Sequence, residues 1–266
     1  MRHSSVPDSL KSMVAYDLLA SHYDAVTGDA ATEITFVDGI VKNACPRAVT
    51  LLEVACGTGG IIAGLGTGYQ VSGLDISPGM LAVAREKLPA GTPLYPADMS
   101  SFRLETTFDA IVCVYHGINH LLDFSDWEGF FDCVYDHLNY GGVLVFDIIT
   151  VHALEMMAGI RWTVQQFGDN YLRIKVRPSG ETLFDWDIEV YELQSNGRYA
   201  LLSEVIRTAS FPHDRVRKAL GERFSEIITI DSDGSVGDDD NENRTWFVCT
   251  KSDFSDSASL TLFDPL

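Results

Sequence analysis

The hydrophobic pattern in the first half of the chain alternates between two kinds of segment. Short, almost wholly apolar runs such as VTLLEVA (49–55) and GGVLVFDII (141–149) are separated by segments of helical period such as DFSDWEGFFDCVYDHL (123–138). Strands without a polar face are typical of a parallel sheet that helices cover on both sides. The pattern therefore predicts an α/β fold with five strands, at 49–55, 69–76, 92–98, 108–115 and 141–149.

After about residue 158 the apolar positions recur at every second residue. Three consecutive segments show this alternation: YLRIKVR (171–177), LFDWDIEVYEL (183–193) and YALLSEVIRTASF (199–211). Alternation of this kind, with the turn signals RPSG and QSNG between the segments, predicts an antiparallel meander with one solvated face. A helix at 212–220 and two closing strands, RFSEIITI and RTWFVCTK, follow it.

The strand at 183–193 has two chemically different faces. Phe184, Trp186 and Ile188 fall on one face, which we interpret as sheet core, and Asp185, Asp187 and Glu189 fall on the other. An alternative interpretation places this row of carboxylates beside a cationic substrate.

The composition is that of an ordinary globular protein. The chain has 266 residues, of which 46% are hydrophobic and 21% charged. It has no apolar run of membrane-span length, and its first residues have no apolar signal-peptide core. Its five cysteines are scattered without a CxxC pair, so reduced thiols are expected, with no disulfide framework and no metal site. These features together predict a cytoplasmic protein.

The net charge of −19 narrows the possible partners. Nucleic acids and anionic membranes both require a positive patch, so neither is expected as a partner. A neutral or cationic small molecule is compatible with this charge.

The first predicted strand runs into a glycine-rich turn in LLEVACGTGG (51–60). Gly57 and Gly59 match the first two glycines of the dinucleotide fingerprint G-x-G-x-x-G, but Ile62 occupies the third position. The turn also lacks the lysine of a phosphate-binding P-loop. Neither a nicotinamide cofactor nor nucleotide hydrolysis is therefore favoured.

Acidic residues follow the next strands of the predicted sheet. Asp75 ends the second strand, where a carboxylate can accept hydrogen bonds from two ribose hydroxyls. Asp98 follows the third and can accept from an adenine amino group, between the apolar walls Ile76 and Met99. Glu53, at the start of the turn, can reach an ammonium group. An adenosine carrying a cationic tail fits this set.

This arrangement resembles the class I S-adenosylmethionine-dependent methyltransferases. The matching segments are LLEVACGTGG, VSGLDISPGMLAVAREK, YPADMSSF, FDAIVCVY and LNYGGVLVFDI, over residues 49–150. The resemblance implies a doubly wound, seven-stranded, mainly parallel Rossmann-like sheet whose last strand is antiparallel, with the meander as an insertion after strand 5. It also implies S-adenosyl-L-methionine as cofactor, contacting Glu53, Ala55, Gly57, Gly59, Asp75, Ile76, Met80, Asp98, Met99 and Val114.

Two further segments are similar to the subgroup that N-methylates aminosugars and other amines in antibiotic biosynthesis. AYDLLASHYD places Tyr16 and Tyr23 over the cofactor and the substrate, and YHGINHL places His120 at the position of an active-site histidine. The resemblance therefore implies that Tyr16, Tyr23 and His120 are catalytic, with His116 as the less favoured base.

The resemblance divides the chain into three parts. We expect an N-terminal helical cap segment at 1–48, a cofactor-binding core at 49–158 and 212–252, and a β insertion at 159–211. The insertion would cover the substrate or form the interface of a homo-oligomer.

Two alternatives stay open at this point. One is a small-molecule O-methyltransferase with His116 as general base, and the other is a cofactor-binding scaffold without catalysis. The sequence does not identify the acceptor, the number of methyl groups transferred or the oligomeric state.

Overall fold

The computed structural model describes residues 8–231, 234–237 and 242–252, and its main feature is a seven-stranded sheet. The sheet has the order β10-β11-β5-β4-β1-β2-β3, in which β11 runs antiparallel to both of its neighbours and the other pairs are parallel. Its strands are β1 (Thr50–Val54), β2 (Gln70–Asp75), β3 (Leu94–Pro96), β4 (Phe108–Cys113), β5 (Leu138–Ile149), β10 (Glu226–Ile230) and β11 (Arg244–Thr250). The predicted α/β class and the antiparallel last strand are confirmed.

Helices cover both faces of this sheet, as the apolar strands require. The helices are α1 (Asp8–Thr27), α2 (Ala31–Ala44), α3 (Gly60–Leu65), α4 (Pro78–Lys87), α5 (Phe124–His137), α6 (Val151–Ala158) and α7 (His213–Gly221), with a 3₁₀ turn at Gly117–His120. On one face α5 buries the aromatic side chains of Trp127, Phe130 and Phe131. On the other face α2 buries Val37 and Ile40.

The meander forms a second, four-stranded antiparallel sheet in the order β6-β7-β8-β9. Its strands are β6 (Thr163–Phe167), β7 (Asn170–Pro178), β8 (Leu183–Leu193) and β9 (Tyr199–Ala209). The alternating pattern predicted the last three of these strands. It predicted neither β6 nor α6.

The carboxylate row of β8 lies on the outer face of this second sheet. Asp185, Asp187 and Glu189 each form an ion pair with an arginine, at N–O distances of 2.7, 2.6 and 3.0 Å. None of the three carboxylates lines the cavity described below. The strand register places this row on the outer surface, where arginines pair with it. The interpretation that the row faces a cationic substrate is therefore wrong.

Helix α1 lies between the two sheets. Its Leu19 is buried against the second sheet together with Ile188 and Ile206. The Asp24 carboxylate accepts a hydrogen bond from the Thr58 hydroxyl in the glycine turn (2.6 Å) and pairs with Lys87 Nζ of α4 (2.6 Å). α1 is thus held across the mouth of the glycine turn. None of the described helices combines the length and apolar character that a membrane crossing requires.

Candidate functional site

A cavity lies at the carboxyl ends of β1, β2 and β4, beneath α1. Nearly all of the predicted site residues line it: Tyr16, Tyr23, Glu53, Ala55, Gly57, Asp75, Ile76, Met80, Asp98, Met99, Val114 and His120. Gly59 and His116 do not. Open α/β sheets bind ligands at this edge of the sheet, so the topology alone makes the cavity a candidate site.

Gly57 and Gly59 have different roles in the turn. Both have left-handed backbone conformations, with φ of +52° and +74°. A Cβ added at Gly57 would meet no atom within 4 Å, so the turn leaves open space there. A Cβ at Gly59 would lie 3.0 Å from Leu88 Cδ1, so this glycine is needed for the close approach of α4.

The Asp75 carboxylate fixes the two loops on either side of it. Its Oδ2 accepts from the Gly57 N–H and its Oδ1 from the Ser77 N–H, both at 2.8 Å. Ser77 in turn caps α4 by accepting the Met80 N–H at 3.1 Å. One carboxylate thus sets the relative positions of the glycine turn and the helix that follows β2.

Asp98 is held in the same way after β3. Its Oδ1 accepts from both the backbone N–H and the hydroxyl of Ser100, each at 2.8 Å. The side chain is therefore oriented in advance at the cavity wall, next to Met99.

Glu53 is a buried carboxyl group at the base of the cavity. It is 3% exposed, and its Oε2 has no hydrogen-bond partner among the described residues. Burial raises the pKa of Glu53 well above its ordinary value. Burial and the nearby Glu53 also raise the pKa of Tyr23. A buried carboxyl oxygen without a hydrogen-bond partner at a cavity wall favours a cationic ligand group.

The phenol of Tyr16 contacts the imidazole of His120 at the cavity wall. Tyr16 Oη lies 3.0 Å from His120 Nε2, and the two rings pack edge to face. Burial raises the pKa of Tyr16 well above its ordinary value, so the phenol stays protonated and can donate a hydrogen bond to Nε2 when that nitrogen carries no proton. Burial, followed by the nearby His116, lowers the pKa of His120 to about 4, so the imidazole is neutral at neutral pH.

His116 belongs to a different set of contacts. Its Nδ1 lies 2.6 Å from Oδ2 of the fully buried Asp147, which also accepts from Arg244 Nε at 2.7 Å. Burial would raise the pKa of Asp147, but His116 and Arg244 outweigh it and hold that pKa below its ordinary value. His116 thus anchors the loop after β4 and does not line the cavity.

Sequence reasoning missed several residues of the cavity wall. Ile206 reaches it from β9 of the insertion, and Tyr115 follows β4. Asp24 of α1 and Thr58 of the glycine turn also line the cavity. In the sequence, Ile206 is one of several apolar positions in an alternating strand. It reaches the cavity only because the second sheet packs against the first.

The lowered pKa of His120 predicts a loss of stability in mild acid. In the unfolded chain this histidine binds a proton near pH 6.5, but in the folded protein only near pH 4, so protons favour unfolding between these values. We expect His120 to reduce the free energy of unfolding by about 1–2 kcal/mol between about pH 6.5 and pH 5. Urea denaturation of wild type and His120→Phe at both pH values checks this. An equal loss in both proteins would contradict it.

Comparison with protein families agrees with this geometry. Residues 51–142 match a methyltransferase domain family. The chain is 33% identical over 120 residues to dTDP-3-amino-3,4,6-trideoxy-alpha-D-glucopyranose N,N-dimethyltransferase of Streptomyces venezuelae. That match covers 45% of this chain and 50% of the relative, so the chain spans about half the length of the curated relative that it matches.

Solved structures match over most of the chain. A sugar N-methyltransferase from a Streptoalloteichus species is 26% identical with a TM-score of 0.73, covering 95% of this chain and 98% of that one. An amino pentose methyltransferase from Micromonospora echinaspora, solved with S-adenosylmethionine bound, is 23% identical with a TM-score of 0.72, covering 88% and 97%. The second likeness is one of fold. Residues 51–142 thus match the methyltransferase domain family in sequence, and the solved structures match most of the chain in fold.

Proposed function

We propose that this chain is an S-adenosylmethionine-dependent N-methyltransferase that acts on a small amine, with aminosugars as the leading acceptor class. The observation that carries the proposal is the neutral Tyr16–His120 pair, which faces the same cavity as the Gly57–Asp75 turn. The names of the relatives supply the acceptor class.

The cavity residues fit the cofactor by their chemistry. Asp75 would hold the ribose hydroxyls, and Asp98 the adenine amino group. Glu53, with an oxygen that has no partner in the described residues, would hold the ammonium group of the methionine part. When bound, S-adenosylmethionine supplies a sulfonium methyl group, which an amine lone pair can take as the sulfonium becomes a thioether.

The acceptor nitrogen must be unprotonated to present its lone pair. His120 Nε2 accepts from the Tyr16 O–H, so the lone pairs of Tyr16 Oη are left to accept a hydrogen bond from an amine N–H and so orient that nitrogen. Tyr16 and Tyr23 line the cavity from α1 and exclude water from its upper side. The protonated product amine can release its proton to the solvent after transfer.

The same geometry argues against O-methylation. A hydroxyl group needs a stronger base than an amine, and a histidine with a pKa of about 4 is too weak a base for it. The alternative base, His116, faces Asp147 instead of the cavity. Nitrogen is therefore the better acceptor atom.

Two measurements test the proposal. Calorimetric titration with S-adenosylhomocysteine should show binding. Incubation with S-adenosylmethionine and a nucleotide-linked aminosugar should then give a product heavier by one or two methyl groups, whereas the sugar with a hydroxyl in place of the amine should give none. Binding without methylation of any amine would favour a non-catalytic scaffold, and no binding would reject the cofactor assignment.

We also propose a cytoplasmic location and a homodimer formed through the outer face of the second sheet. That face exposes Val164, Tyr199, Leu201 and Val205, and the three carboxylates of β8 on it are paired with arginines. On a chain of net charge −19, it is a surface where two copies can approach with little repulsion. We expect wild type to sediment as a dimer and Leu201→Asp as a monomer. A monomeric wild type at micromolar concentration would reject the dimer.

The division of the chain at 1–48, 49–158 with 212–252, and 159–211 stays a prediction. Limited proteolysis that cuts at these boundaries would support it.

A further inference from the structure

Asn119 is a fully buried polar side chain in the turn that carries His120. Its Oδ1 accepts from the Ile149 N–H at 3.1 Å, and its Nδ2 donates to the Ile149 carbonyl at 3.2 Å. The same Nδ2 donates to the Ala209 carbonyl at 2.7 Å. Ile149 ends β5 and Ala209 ends β9, so this one amide joins the turn to both sheets.

The neighbouring His120 contacts the same strand of the insertion. Its ring hydrogen-bonds to the backbone of Arg207, two residues before Ala209 in β9. That contact favours the protonated ring, which is the effect of a carbonyl acceptor. Because Nε2 meets Tyr16 Oη, Nδ1 carries the proton that is donated to Arg207, and Nε2 keeps its lone pair.

We propose that Asn119 is a positioning residue, which clamps the 3₁₀ turn to β9 and thereby holds His120 in the Nδ1–H tautomer with Nε2 facing the cavity. The proposal rests on the function proposed above, in which Nε2 accepts from the Tyr16 O–H and Tyr16 Oη accepts a hydrogen bond from the amine. It assigns the insertion a part in the chemistry, because β9 supplies the carbonyls of Arg207 and Ala209.

An amide suits this clamp because it must accept and donate at the same time. The aspartate carboxylate has no N–H to offer the two carbonyls, and a leucine offers neither donor nor acceptor. Without the clamp the turn can move away from Arg207, and His120 is then free to place its proton on Nε2. In that tautomer Nε2 donates to Tyr16 Oη, and it then competes with the amine N–H for that oxygen.

The test is the tautomer itself, read from the ¹⁵N chemical shifts of the histidine rings. His137 is an internal reference, because its Nδ1 lies 2.6 Å from the Cys133 carbonyl and its Nε2 accepts from the Leu104 N–H at 2.8 Å. In wild type, both histidines should show the Nδ1–H pattern. In Asn119→Ala, the His120 signals should move towards a tautomer mixture, while those of His137 stay in place.

Kinetics separate positioning from general damage. We expect Asn119→Ala to lower kcat by roughly tenfold or more and to leave the affinity for S-adenosylhomocysteine unchanged. The matched control is Asn139→Ala, which also removes a cross-strand asparagine, one that donates to Asp109 Oδ1 at 2.8 Å at the opposite end of the sheet. This control should leave both kcat and the His120 shifts unchanged.

Several results would overturn the proposal. One is an Nε2–H tautomer in wild type, a measurement that needs neither a variant nor an acceptor. Others are unchanged His120 shifts in Asn119→Ala, or equal losses of kcat in the two variants. If Asn119→Ala does not fold, the same shifts and kcat are measured on Asn119→Ser, which keeps a hydroxyl group at this position. A protein that methylates no amine but shows the predicted shifts would reject the proposed function and retain the clamp.

Discussion

Replacing His120 with phenylalanine should lower kcat by about 10²-fold, the loss expected when a group that orients the reacting atoms is removed. The substitution keeps a planar ring against Tyr16 but removes Nε2, the acceptor that the structure places 3.0 Å from Tyr16 Oη. The affinity for S-adenosylhomocysteine should change little, because His120 is not among the residues proposed to hold the cofactor.

Steady-state kinetics and calorimetry on the same preparation measure the two effects separately. His152→Phe is the matched control, since this histidine of α6 does not line the cavity and its loss should leave kcat unchanged. If His120→Phe turns over as fast as wild type, the assignment of His120 is wrong, although the cofactor assignment can stand.

The second large effect is expected at Asp75, where replacement by asparagine should weaken binding of S-adenosylhomocysteine by about 10²-fold. The carboxylate accepts two backbone N–H groups, from Gly57 and Ser77. In asparagine one of the two oxygens becomes an N–H₂ donor facing a donor, so the glycine turn or the start of α4 must shift. The proposed hydrogen bonds to the ribose also lose their charged acceptor.

Asp109→Asn separates loss of binding from loss of stability. Asp109 accepts the N–H groups of Val49 and Thr50 at 2.9 and 3.0 Å, at the other end of the same sheet. Both variants should lose similar stability on denaturation, and only Asp75→Asn should lose affinity. Equal affinities in the two variants would remove Asp75 from the cofactor site.

Much of the large sheet was predictable because each of its elements has a local signal. Strands β1 and β4 are apolar on both faces, and α2 spans residues 31–44, as its apolar stripe predicts. The elements that were missed lack such a signal. In β6 only Phe167 is buried, and α6 is only eight residues long, so neither gives a long periodic signal.

The candidate site also contains residues with a local sequence signal and residues without one. The glycine turn, Asp75 and Asp98 are set by spacing after successive strands, and the structure brings them to one cavity. The contact of Tyr16 with His120 joins residues 104 positions apart, and only the resemblance to a family indicated it. Nothing in the sequence marks Asn119, because its hydrogen bond to the Ala209 carbonyl forms only when β9 packs against the turn.

Helix α1 and Asn119 connect the two sheets from different sides. Leu19 of α1 is buried against the second sheet, while Asp24 of the same helix is tied to α4. Unfolding of the insertion alone would expose Leu19 and break the hydrogen bond from Asn119 to Ala209. We therefore expect the two sheets to unfold together, so that opening of the insertion also disrupts the site.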